Sequence, residues 1–112
     1  MWYLVISRNV STEEEREKRT QPHRDWLLGQ HRAGRALFSG RTADLSHGMY
    51  ILLAENLRVA TELAAQDPFH VHGDRVMQVF EWNPQRAMRL DGPTIADFEA
   101  MARGAGRQEP KP

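Results

Sequence analysis

Cysteine is absent from the 112 residues, which removes disulfides, thiolate metal centres and a cysteine nucleophile. Neither sign of charge is in surplus, because 15 Lys and Arg balance 15 Asp and Glu. A chain that grips nucleic acid through its phosphates needs a basic excess, so no nucleic-acid partner is expected. No long hydrophobic run occurs. The opening MWYLVISRNV is apolar over about six residues and carries no basic lead, too little for a signal peptide or a membrane span. A cytoplasmic protein without a membrane partner is the expectation. Also missing are a glycine-rich phosphate loop, a G-x-S-x-G elbow and the paired histidines of a metalloprotease helix.

What remains is a chain of 40% hydrophobic content, long enough for one core and too short for two. Its most informative stretch is Gln21 to Gly40. Trp26, Leu27 and Leu28 give a helix an apolar face, and His31 follows His23 by eight residues. At about 3.6 residues per turn the two imidazoles share roughly one side. Gly34 occupies a helix C-cap position, and the strand from Arg35 to Ser39 delivers a hydroxyl beside Gly40.

The remaining elements read off in order. Trp2–Val10 is aromatic and β-branched, and its run Leu4-Val5-Ile6 suits a central strand. Ser11 and Glu14 have capping-box spacing ahead of the charge run Glu13–Arg19, which reads as a solvated helix face. A further helix starts near Pro22. Thr42–Gly48 is a polar turn, Met49–Ala54 a strand antiparallel to the one before it, and Asn56 caps a helix running through Gln66. Asp67-Pro68-Phe69 ends that helix, and Arg75–Trp82 alternates as a fourth strand. Beyond Asn83-Pro84, a short helix over Thr94–Arg103 and a flexible tail from Gly104 are expected. The order is βαββαβ, a ferredoxin-like α+β fold with one antiparallel sheet and helices on one face. Strand residues such as Val5, Met49, Ile51 and Val79 exceed what two helices cover, so a homodimer through the other face is expected.

For chemistry, His23 can take and return a proton near neutral pH, and Asp67, stiffened by Pro68, can orient it by accepting its second N–H. Spacing alone leaves the bland reading open: His23 as a helix-surface residue and Asp67 as a turn residue. Ser39 offers a donor to a carboxylate or carbonyl. His70 and His72 form an H-x-H pair, with His47 elsewhere, but no acidic third ligand stands at diagnostic spacing, so no metal is expected.

Taken together, Pro22-His23, Gly34-Arg35, Ser39-Gly40, the segment 49–66, and Asp67-Pro68-Phe69 followed by Gly73 resemble the YCII-related family over about residues 1–84. Residues 85–112 then form a C-terminal extension. The family belongs to the dimeric α+β barrel class, which also includes muconolactone isomerase-like enzymes. The resemblance implies a His–Asp dyad of His23 and Asp67, with Ser39 and Gly40 lining a pocket and Arg19 and Phe69 as further substrate-binding residues. It implies a small-molecule ligand and no cofactor. Some relatives act as dehydrochlorinases on small cyclic acids from chlorinated-aromatic degradation, so a lyase or isomerase is one expectation. The other is a non-catalytic dimeric module that binds a ligand or partner. The family often carries an arginine three residues before the histidine; here Thr20 stands there and Arg19 is one residue off.

Overall fold

The computed structural model of the chain describes residues 1–85 and Ala100; the helix expected over Thr94–Arg103 and the tail from Gly104 lie outside the described residues. The elements are β1 (Trp2–Asn9), α1 (Glu13–Glu17), α2 (Thr20–Arg32), β2 (Ala36–Arg41), β3 (His47–Leu53), α3 (Leu57–Ala64), α4 (Pro68–Val71) and β4 (Arg75–Trp82). The four strands form one antiparallel sheet in the order β2-β3-β1-β4. This is the ferredoxin-like α+β plan, with the helices packed on one side.

Register assigns each strand residue to a face. Tyr3, Val5 and Ser7 stand opposite Leu52, Tyr50 and Gly48 of β3 and opposite Glu81, Val79 and Met77 of β4. Since side chains alternate along a strand, these residues share the helix side. There Tyr3, Val5, Tyr50, Leu52, Ala60 and Ala64 form the buried core, joined by Trp26 and Leu27 of α2. Leu4, Ile6, Met49, Ile51 and Phe80 take the opposite face. Val5 and Val79 therefore belong to the helix side, and the apolar surplus on the far face rests on their neighbours.

Helix ends depart from the sequence reading by small, explicable amounts. The α1 cap is Thr12, whose Oγ1 accepts the Glu15 N–H at 3.2 Å, one residue later than the Ser11–Glu14 box. α2 begins at Thr20, so Pro22 sits in its first turn, where its missing N–H has no intrahelical partner to lose. Gly34, at φ 74°, follows the cap and turns the chain into β2. Asn56 Oδ1 accepts the Val59 N–H at 2.9 Å, and α3 ends at Ala64, ahead of the expected Gln66.

One ion pair joins three elements. Arg19, at the head of α2, donates from Nε and Nη2 to Asp74 Oδ2 and Oδ1 at 2.8 and 2.7 Å. Its Nη1 also reaches Glu15 Oε1 at 3.2 Å. Asp74 is buried, its carbonyl accepts the Val10 N–H at 2.9 Å, and its own N–H donates to the Phe69 carbonyl at 2.8 Å. The fork lashes α2 to the start of β4 and the end of β1. Hydrogen bonds from Arg19 hold the Asp74 carboxyl below its ordinary value, outweighing burial, which acts to raise it.

Two outcomes follow for stability. Leu52 is fully buried, so Leu52→Ala should lose about 2–5 kcal/mol in urea unfolding. Asp74 titrates lower folded than unfolded, so the stability it contributes is fully present above the unfolded value of about 3.9 and disappears as pH falls through the folded one. Thermal stability should therefore drop below about pH 4, and Arg19→Gln should flatten that drop; an unchanged acid limb would show that the fork does not carry it.

Candidate active site

His23 projects from the first turns of α2, and Asp67 caps α4 across from it. Imidazole Nδ1 lies 2.7 Å from Asp67 Oδ1, with the histidine side chain 13% exposed and the aspartate fully buried. Asp67 Oδ1 also accepts the Phe69 N–H at 3.0 Å. An ionised carboxylate can only accept, so with Asp67 ionised the imidazole proton sits on Nδ1, and Nε2, which has no hydrogen bond among the described residues, is the acceptor nitrogen. That is the tautomer a general base requires.

Proline and phenylalanine set this geometry. Pro68 at the first position of α4 suits a fixed φ near −65°, and the turn behind it carries Phe69 inward. The Phe69 ring lies 4.4 Å from the His23 ring, centroid to centroid, tilted by 36°. As local structure, the sequence reading takes Asp67-Pro68-Phe69 as a stop for α3; it also starts a short helix of its own.

Behind the dyad, on the sheet, stand groups that spacing did not single out. Tyr50 is buried, its phenol pushed well above its ordinary value by burial and by the Asp67 charge, so it stays a protonated O–H. Its ring meets Trp26 edge-on at 5.9 Å. Trp26 follows His23 by three residues, which puts both on one side of α2. Arg75 enters the same face from β4, with its Cζ 4.3 Å from the Phe69 ring centre. Strand alternation was the available signal: Tyr50 and Arg75 are polar residues on inward-facing positions of β3 and β4. Among the described residues, two buried polar atoms here lack a hydrogen-bond partner: Asp67 Oδ2 and Trp26 Nε1.

The structure thus brings together His23, Asp67 and Phe69. Arg19 stands at the head of the same helix with its guanidinium committed to Asp74 and Glu15. Ser39 pairs elsewhere, with its Oγ 2.8 Å from His31 Nε2. His31 is eight residues along α2 from His23, about 12 Å at 1.5 Å per residue. Ser39 and Gly40 also border a shallow depression of about 410 Å³ against β2 and β3, which Leu4, Met49 and Ile51 line from the face away from the helices. His70 lies in α4 and His72 is its C-cap.

Comparison with known proteins places the chain in a family. No curated protein matches the chain significantly. Among solved structures, it is similar to the 5-chloro-2-hydroxyhydroquinone dehydrochlorinase of Burkholderia phenoliruptrix AC1100, in complex with 2,5-dihydroxybenzoquinone. The TM-score is 0.64 at 18% identity, over 74% of this chain and 94% of that one. That likeness establishes the fold. The family model of the YCII-related domain matches residues 1–83, which take in all four strands and the helices α1 to α4, and the chain belongs to the YCII-related family.

Proposed function

We propose that the protein is a cofactor-free enzyme, a lyase or isomerase of dehydrochlorinase type, acting on a small cyclic acid. The observation that carries this reading is the 2.7 Å contact of His23 Nδ1 with a buried carboxylate that can only accept, which leaves Nε2 to take a proton. In an elimination of this type His23 Nε2 removes a proton from the substrate, and chloride departs with the electron pair of its carbon–chlorine bond. Hydrogen chloride is lost without oxidant or reductant. Asp67 stabilises the imidazolium that forms and holds the ring in place. The solved relative, named for a dehydrochlorination and holding a hydroxylated quinone, supports the substrate class. The hydroxyls of that quinone are vinylogous acids, so the molecule is an anion near neutral pH.

The same reading makes the protein a cytoplasmic homodimer. Leu4, Ile6, Met49, Ile51 and Phe80 share the sheet face away from the helices, and a second copy is the natural cover for such a face. Light scattering at micromolar concentration should return twice the chain mass, and Met49→Glu, which puts a charge into the pairing face, should return one. A wild-type protein at the mass of one chain would remove the dimer.

Chloride release from 5-chloro-2-hydroxyhydroquinone tests the dyad. His23→Ala should lower kcat by about 10²–10⁴-fold, the usual contribution of a positioned base. Asp67→Asn should lower kcat while leaving the affinity for 2,5-dihydroxybenzoquinone nearly unchanged, because Asp67 acts through the ring and not on the substrate. Equal rates for wild type and His23→Ala would remove His23 as the base, and release no faster than without protein would leave the non-catalytic binding module as the better account.

A further inference from the structure

Arginine 75 is the cation of this site that no carboxylate claims. It opens β4 opposite Asn9 on the helix side of the sheet, and its Nε donates to Asn9 Oδ1 at 2.8 Å. Nη1 reaches Ser7 Oγ at 3.4 Å, a long contact. Its remaining N–H groups have no acceptor, and it joins no ion pair, among the described residues. Arg19, by contrast, meets two carboxylates. Burial works against the charged form of Arg75, and the Asp67 charge opposes that effect from a distance. A part-buried guanidinium with free donors favours a bidentate anion.

Room has been left for the guanidinium itself. A Cβ on Gly48 would stand 2.6 Å from Arg75 Nη1 and 3.2 Å from Ser7 Oγ, so only glycine at that position of β3 lets the guanidinium lie flat where it does. On its other side the cation stacks on Phe69, the ring that also touches His23. Base and cation are thus separated by no more than one aromatic residue, a span that a small ring with an acidic substituent covers.

We propose that Arg75 is the anion-holding residue of the site, taking a carboxylate or ring oxyanion of the substrate through its free guanidinium edge while His23 faces the reacting carbon. The assignment rests on the dyad reading above for the reacting end and on the arginine's own surroundings for the anion. It accounts for Arg19 as well: with that guanidinium committed to Asp74, the positive charge is supplied from β4.

The test uses benzoate and its neutral isostere benzamide, titrated into the intact protein and followed by NMR at the Arg75 Nε–H and the Phe69 ring protons. Wild type should show saturable shifts with benzoate and bind it about 10- to 100-fold more tightly than benzamide, the range for a charge-assisted pair. Arg75→Gln should level the two affinities, and Arg75→Lys should keep part of the preference. Because Arg75→Gln also loses the Asn9 contact, Gly48→Ala provides a second test. Its Cβ meets only the mobile end of Arg75 and the Ser7 hydroxyl, so the fold should survive while the guanidinium is displaced and the benzoate preference falls. No saturable benzoate shift in wild type, or a preference that survives in folded Arg75→Gln or Gly48→Ala, overturns the assignment. Neither result bears on His23, whose role is judged by chloride release alone; a dead His23→Ala beside an unchanged Arg75→Gln would keep the base and discard the anion site.

Discussion

Asp67 is fully buried, and a carboxylate removed from water is tolerated only where hydrogen bonds replace its hydration. Much of the helix layer is arranged to supply them. Its Oδ1 draws in the His23 ring from α2 and the Phe69 amide from α4, while its carbonyl accepts from His70 and Val71 at 2.8 and 2.9 Å and so starts α4. Four residues on, α4 ends at Val71 with His72 as its C-cap, and Gly73 takes the left-handed conformation at φ 74°. Asp74 then closes the loop onto the Phe69 carbonyl. The segment from Asp67 to Arg75 is therefore one device. It positions the dyad carboxylate, sets an aromatic ring against the imidazole, receives the Arg19 fork, and launches β4 with a guanidinium beneath that ring.

Much of this was legible from the chain because strands and caps are local. The alternation of Arg75–Trp82 gave β4 with its observed bounds, and Asn56 announced α3 because an Asx side chain satisfies an otherwise unpaired amide. The cap at Thr12 was misplaced by one residue because Ser11 and Thr12 are chemically equivalent candidates, and only the approach of the chain from β1 decides between them. α4 went unseen for a different reason. A proline after a helix reads as a stop, yet the same proline at the first position of a new turn starts one. The pairing of His23 with Asp67, 44 residues apart, has no signal in spacing; residue chemistry offers the two as base and orienter, and the family resemblance joins them as a dyad. Arg75 carried a signal that was available: an arginine on an inward-facing strand position.

The two arginines show why charge counts say little about a site. Arg19 and Arg75 are formally alike, but the first lies in a fork whose donors meet Asp74 and Glu15, and the second meets an amide, a hydroxyl and a ring. A paired guanidinium stabilises the fold and offers little further attraction, because its field is cancelled at short range. Arg75 joins no ion pair among the described residues, and the Asp67 and Asp74 charges oppose its field only from a distance. Asp74 pairs with Arg19 and not with its own chain neighbour Arg75.

Alternation along the strands also separates two demands that a small domain could easily confuse. Ser7, Gly48 and Tyr50 point to the dyad side, while Ile6, Met49 and Ile51, their immediate neighbours, point away from it. A copy docked on the far face would contact the second set and leave the first untouched, so the two faces draw on interleaved positions of the same strands. Gly48 limits that separation. It lies between His47 and Met49 of the far face, and its missing Cβ is what admits the Arg75 guanidinium on the near one. The gap there is narrower than a methyl group, so the backbone of β3 and the Arg75 side chain are in direct contact at this residue.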